Sequence, residues 1–334
     1  MQISIIQGVA AFTELAADWN QLASQSITNT PFQTLAYQQA WWQHLQPAEA
    51  SLYTIVLRND SRELTAVAPL YLTVDGTVHF NGCVEETDYL DLIVRPEDIE
   101  LAWTAVFDCL CSSDFPTWQS LDFCNIPSAS PTRTVLPQLA ANHHLKLNES
   151  VHEVCPIIQL PNSFDAYLQA LDSKQRREVS RKLRRAQGAE AKLKVITAED
   201  DLDTAVTDFL DLLQKSSFEK RDWLNRGRRA IFYATAKAAQ EAGTLQLLFI
   251  EIEGQRAAAL FNFDYNGRIW VYNSGLDPNT FGSLSLGVVI TALAIEHAIV
   301  NGRSEFDFLR GDETYKYRFG AKDTQVYRLQ ITKE

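Results

Sequence analysis

Three apolar-rich runs, residues 245–253, 256–265 and 268–275, are separated only by tight turns at Gly254 and Gly267. Connections that short force consecutive strands to run antiparallel, so the stretch predicts a three-stranded meander. The period then changes. Leu286, Val289, Ile290, Leu293 and Ala294 fall at i, i+3, i+4, i+7 and i+8, the single apolar stripe of a helix over 286–300. Asn301-Gly302 closes that helix. A strand at 305–309, a helical turn near 313–319 and a last strand at 325–332 follow. A meander, a crossover helix and a further strand restrict the chain to an α/β (α+β) fold built on a mixed, mostly antiparallel sheet flanked by helices.

The first half repeats that order in outline. Strands at 51–58, 63–73 and 77–80 are joined by the turn residues Asn59-Asp60-Ser61 and Val74-Asp75-Gly76. A strand at 88–94 precedes a helix over 96–111, which Pro96 opens with Glu97, Asp98 and Glu100 in its first turn. A strand at 120–124, a helix at 135–142 and a strand-like run at 151–160 complete the parallel. Before the first meander lie a strand at 2–7 and helices at 13–24 and 35–45; before the second lie helices at 163–171, 174–187, 198–216 and 228–242. No residue-level repeat accompanies the shared order, so duplication is inferred from the elements alone. Charge divides at the same place. Residues 1–150 hold 5 Lys and Arg against 17 Asp and Glu, whereas residues 151–334 hold 25 of each, so the net charge of −12 resides in the first half. Two domains are expected, an acidic one over 1–150 and a charge-balanced one over 151–334, and 334 residues suffice for two cores.

An acidic chain repels polyanions at long range, which disfavours general nucleic-acid binding. No run of about 18 uncharged apolar residues occurs, so no membrane span is expected. The amino terminus has no basic region ahead of an apolar run, and the cysteines number five. A disulfide framework is therefore not expected, and the cytoplasm is the expected compartment. Cys109-x-Cys111 has no second pair and no histidine at zinc-ligand spacing; His143, His144 and His152 lack a carboxylate motif. No metal is expected. A hydrolase elbow is absent as well.

Several stretches carry chemistry. Asn273-Ser274-Gly275 ends the third strand of the second meander, and a Gly/Ser-rich loop then enters the 286–300 helix. Such an entry offers unpaired amides and the positive end of a helix dipole to a phosphate, although an ordinary capped helix would read the same way. Arg310, Asp312, Glu313, Tyr315, Lys316 and Arg318 crowd the turn after the next strand, which is costly unless they are solvated, paired or used. Residues 174–185 hold seven basic side chains (Lys174, Arg176, Arg177, Arg181, Lys182, Arg184, Arg185) against Glu178. They form a solvated or docking face, or a phosphate site. Glu85, Glu86, Asp88 and Asp91 flank Tyr89, either as solvated acids or as a cation-binding wall in which Asp88 and Tyr89 contact substrate. Trp223, near Arg226, Arg228 and Arg229, lines an acceptor pocket or staples its loop. Trp41 and Trp42 read as core or domain-interface residues.

The run DFLRGDETYKYRFGA, residues 307–321, resembles the signature of the CelD-type acyltransferase family of the GNAT superfamily, related to the FemAB-like peptidoglycan aminoacyltransferases. LPNSFDAYLQALDSKQRREVSRKLRR (160–185), NSGLDP (273–278), Pro31-Phe32-Gln33 and Val67-Ala68-Pro69-Leu70 are similar to other parts of that family. The resemblance implies two GNAT-like domains and N-acyl transfer from acyl-CoA to an amine of a small molecule or cell-envelope precursor, with the second domain holding the site. FemAB-like relatives use a charged tRNA instead, and a silent binding module of the same fold is a further alternative. Under the resemblance, Ser283, Leu284, Ser285, Leu286 and Gly287 would cradle a pyrophosphate, with Asn273 and Ser274 beside the oxyanion. Asp312 or Glu313 would take the amine's proton and Tyr315 would act as acid or positioning hydroxyl. Lys316, Arg310 and Arg318 would meet phosphate or a substrate carboxylate. The loop departs from the usual cradle, since Leu284 and Leu286 separate Gly282 from Gly287. All of this requires the turn after residue 309 and the helix start near 286 to face one crevice.

Overall fold

Both halves form a meander, a crossover helix and a returning strand. The computed structural model describes residues 2–83 and 86–333. It falls into two compact units, Met1–Val154 with Gln325–Glu334 and Cys155–Thr324.

The first unit contains β1 (Gln2–Gln7), α1 (Ala10–Glu14), α2 (Trp19–Gln25), α3 (Leu35–Leu45), β2 (Ser51–Arg58), β3 (Leu64–Leu72) and β4 (Thr77–Phe80). It continues through β5 (Ile93–Val94), α4 (Ile99–Cys111), β6 (Ser120–Pro127) and α5 (Thr132–Asn142) into β7 (Leu145–Gln159). Here β1, β2, β3 and β4 pair antiparallel in turn, and β4 pairs parallel with β6 across the crossover helix α4. Trp41 and Trp42 are core residues, packed on Tyr71.

Several expectations change here: the helix expected over 13–24 is two, α1 and α2. The strand expected over 88–94 shrinks to β5, because the preceding backbone is bonded elsewhere: Leu90 N donates to Asn125 O at 3.0 Å and Asn125 Nδ2 to Thr87 O at 2.7 Å. The acids around Tyr89 face inward rather than to solvent. Asp91 accepts the hydroxyls of Thr28, Ser130 and Thr132, and Glu86, Asp88 and Tyr89 are buried; Glu85 lies outside the described residues. Cys83 and Cys124 form a disulfide with Cα atoms 5.7 Å apart, a pairing that an odd cysteine count did not suggest.

The second unit contains α6 (Phe164–Ala170), α7 (Ser173–Gly188), β8 (Lys192–Val195), α8 (Leu202–Ser216), α9 (Phe218–Trp223) and α10 (Arg226–Glu241). The meander β9 (Leu245–Ile252), β10 (Gln255–Tyr265) and β11 (Arg268–Leu276) follows, then α11 (Leu286–Val300), β12 (Glu305–Asp307), α12 (Thr314–Arg318) and β13 (Lys322–Lys333). Side-chain caps start these helices: Asp172 accepts from Lys174 N and Gln175 N for α7, Asp201 caps α8, Ser217 caps α9 and Asn225 caps α10. Strand order is β7-β12-β11-β10-β9-β8, with β11–β12 parallel. Helix α11 packs on β9 and β10 with one side and on α6 and α7 with another, which explains why nearly all its faces are apolar.

The strands that end each half are exchanged. Residues 157–159 of β7, the strand after α5, pair with β12 in the second unit. Residues 326–332 of β13, the strand after α12, pair with β6 in the first. Thus Gln325–Glu334 belong with the first unit rather than with residues 151–324. No helix among the described residues is long and apolar enough to cross a membrane.

Candidate active site

The site follows from a splayed strand pair in the second unit. β11 and β12 pair only over Arg268–Trp270 and Glu305–Asp307. Beyond that point β11 continues along β10 to Leu276, past a bulge where Phe261 faces Asn273 but Asn262 faces Val271. The chain after β12 turns the other way. Phe308 N donates to Pro156 O at 3.0 Å, Asp307 Oδ1 accepts Leu309 N at 2.7 Å, and Leu309 takes a left-handed φ of 58°. The parting strands open a cavity of about 410 Å³. Val271, Ser274, Gly275 and Leu276 line it from β11, Ser285, Leu286 and Gly287 from the start of α11, and Phe308, Tyr315 and Phe319 from across the gap. The turn after 309 and the helix start near 286 therefore share one crevice, of a volume suited to a small ligand.

Close packing fixes the wall. A Cβ on Gly275 would lie 2.5 Å from Leu213 N and 2.7 Å from Leu212 C, so only glycine lets β11 pass α8 at this distance. Ser216 Oγ, at the end of α8, accepts Leu276 N at 2.8 Å. At the opposite wall Ser285 has a left-handed φ of 55° and no side chain caps α11. The first-turn amides of this 15-residue helix, at Leu286 and Gly287, thus begin at the cavity with the positive end of the dipole.

The turn 309–313 is held by an ammonium. Lys316 is 2% exposed, and its Nζ donates to the carbonyls of Leu309, Arg310 and Gly311 at 3.2, 2.7 and 3.0 Å and to Glu313 Oε2 at 2.9 Å. With its donors so engaged, Lys316 positions the turn rather than meeting a phosphate. The Glu313 carboxylate folds over Gly311, where a Cβ would stand 2.5 Å from Oε2. Tyr315 is 40% exposed as a residue, yet desolvation of its phenol, aided by the Glu313 carboxylate, raises its pKa above the ordinary tyrosine value. The hydroxyl stays protonated at neutral pH, the state a proton donor needs.

The remaining expected residues divide. Ser274, Ser285, Leu286 and Gly287 line the cavity with Tyr315; Ser283 and Leu284 do not, and Ser283 is exposed. The Ser274 amide is not open to an oxyanion, because it donates to Asn273 Oδ1 at 2.9 Å. Asp312 is exposed and Arg318 lines a neighbouring cavity; Arg310 gives its carbonyl to Lys316. Trp223 packs edge-on against Phe232, with the Arg228 guanidinium 4.8 Å from its ring centroid and donating to its carbonyl. These are the contacts of a staple. Asp88 and Tyr89 lie inside the first unit.

Lys220 escaped the sequence reading. From α9 its Nζ reaches Ser274 O at 2.6 Å, Asn273 Oδ1 at 3.2 Å and Ser274 Oγ at 3.4 Å. Burial lowers its pKa to about 8, while Glu313 pulls it up. Glu219-Lys220-Arg221 reads as surface charge; only the packing of α9 beside the end of β11 distinguishes its middle residue.

A meander, an uncapped helix start at the mouth of a splayed strand pair and a carbonyl-bound lysine turn all fall within one stretch. Residues 173–317 match the family model described as an acetyltransferase (GNAT) domain. The chain carries a GNAT acetyltransferase domain. The family and fold suggested by residues 307–321 are thus borne out. No curated protein matches the sequence. Among solved structures, FemX is similar at 12% identity and a TM-score of 0.66, over 98% of this chain and 97% of that one. L-PGS from Bacillus licheniformis is similar at 9% identity and 0.55, over 83% of each chain. A tandem GNAT protein from the clavulanic acid biosynthesis pathway is similar at 11% identity and 0.51, over 100% of this chain and 99% of that one. At these identities the likeness concerns the fold alone.

Proposed function

We propose that the GNAT domain transfers an acyl group from an activated donor to an amine, with acyl-CoA as the donor and a small molecule or cell-envelope precursor as the acceptor. The observation that carries this reading is the parting of β11 from β12, which exposes an apolar-walled cavity to the first turn of α11. In the reaction the amine attacks the thioester carbonyl, the carbonyl becomes an oxyanion, and the thiolate leaves as the carbonyl re-forms. Amides at Leu286 and Gly287 are the donors we assign to the oxyanion, replacing the engaged Ser274 amide. Tyr315 is assigned to protonate the departing thiolate. The attacking amine must give up a proton, and the Glu313 carboxylate, whose charge acts on Tyr315, is the acceptor we assign for it. The donors concerned are made in the cytoplasm, where we place the reaction.

A charged tRNA is the second donor, favoured by the basic cavity that Arg318 lines beside Tyr315. A panel of acyl-CoAs and aminoacyl-tRNAs, assayed with simple amines for amide formation, tests the reading. Wild-type protein should turn over one donor class, and Tyr315→Phe should lower kcat by about a hundredfold or more with an unchanged circular dichroism spectrum. Turnover by neither class, or full activity in Tyr315→Phe, contradicts the reading or the assigned role, respectively.

A further inference from the structure

The basic helix α7 does not face solvent alone. Lys174, Arg177, Arg181 and Lys182 line a cavity of about 500 Å³ with Glu178, and Arg318 of α12 faces the same space. Five cations thus surround one carboxylate. Glu178 is already bound by Arg181 at 2.8 Å and Lys182 at 3.0 Å. Lys174, Arg177 and Arg318 make no ion pair among the described residues. Like charges held around one concavity repel, and an anion placed among them relieves that cost.

This basic cavity shares Val288, Tyr315 and Phe319 with the cavity between β11 and β12. The two differ in kind. The 281–288 wall of the first sets Phe281, Leu286 and Val288 among Gly282, Ser285 and Gly287, carries no charged side chain, and its first-turn amides are the ones assigned to the oxyanion. The second offers guanidinium groups, which match phosphate oxygens in geometry as well as charge. A molecule with an acyl end and a phosphorylated end can fill both, with its reactive bond near Tyr315.

We infer that the cavity between α7 and α12 is a phosphate subsite, binding the phosphorylated nucleotide portion of the donor in place of the 283–287 turn. The assignment of that ligand as a donor rests on the acyl-transfer reading; the subsite itself rests on the cavity and its charges. Coenzyme A and the 3′ end of an RNA share the required chemistry.

Calorimetry decides. Coenzyme A, pantetheine (the same arm without phosphates) and a short RNA hairpin with a single-stranded 3′ end are titrated into wild-type protein and into Arg177→Glu, Arg318→Glu and Lys192→Glu. Lys192 is exposed on β8, outside the cavity. At least one phosphorylated probe should bind, coenzyme A doing so more tightly than pantetheine if it is the source. Each arginine variant should weaken binding of that probe by about tenfold or more, with Lys192→Glu unchanged. Tight coenzyme A or tight hairpin identifies the source. Binding of neither phosphorylated probe by wild-type protein overturns the subsite, as does undiminished binding by both arginine variants. If those variants bind normally while amide formation persists, the subsite fails and acyl transfer stands. If binding depends on the arginines but no amine is ever acylated, the subsite stands and acyl transfer fails.

Discussion

Replacing Lys220 by methionine tests the electrostatics of the site's floor. The ordinary lysine value is 10.5, and burial brings Lys220 to about 8. Between those values the unfolded chain holds a proton that the folded protein has released, so the contribution of this group to stability rises with pH. The interval of about 2.5 units corresponds to about 3 kcal/mol as an upper figure. Lys220→Met also strips a donor from Ser274 O and Asn273 Oδ1, but that loss is nearly constant with pH and enters only as an offset. Urea unfolding of both proteins from pH 7 to pH 10.5 separates the two effects. Wild type should gain about 2 to 3 kcal/mol on the variant across this range, with little change in the difference below pH 7. A difference that stays flat over the whole range, or that moves against the wild type, refutes the burial argument.

Other outcomes follow from the packing. Gly275→Ala forces a methyl against the backbone of Leu212 and Leu213 and should cost about 3 kcal/mol, read as a lowered Tm; a loss below about 1 kcal/mol would mean that α8 yields. Lys316→Met leaves the carbonyls of Leu309, Arg310 and Gly311 without their donor and should destabilise by about 2 to 3 kcal/mol, whereas Asp312→Ala, on an exposed residue, should stay within about 0.5 kcal/mol; equal effects would contradict the positioning role. Deleting residues 325–334 removes the strand paired with β6, so limited proteolysis should cut the first unit before the second, and preferential cutting within 155–324 would count against the exchange of end strands.

Most of the architecture was readable because local rules and packing agree. The meander turns at Gly254 and Gly267 and the Asn301-Gly302 stop each specify their own element, whereas α11, expected to carry a single apolar stripe, is in fact apolar on nearly all faces. Elements that depend on distant partners were not readable. β8 is a four-residue strand with Lys192 and Lys194 at two of its positions, and its pairing with β9 is what makes it a strand. The 86–92 segment is acidic, yet hydroxyl and amide donors from remote residues draw it inward. The exchange of β7 and β13 leaves no mark in composition, because a strand's sequence does not say which sheet edge it will join. Tyr315, Ser274 and residues 285–287, singled out by motif and helix-entry logic, line one cavity. The carbonyl partners of Lys316 and Lys220 were not readable, since a lysine that binds carbonyls and one that is solvated look alike in sequence.

Hydrogen–deuterium exchange with the activated donor bound tests the central claim most directly. If the gap between β11 and β12 is where the acyl group rests, protection should concentrate in peptides covering 271–276, 282–288 and 308–319. Donor binding that leaves those three segments exchanging at their free rates, with protection elsewhere in the chain, would contradict it.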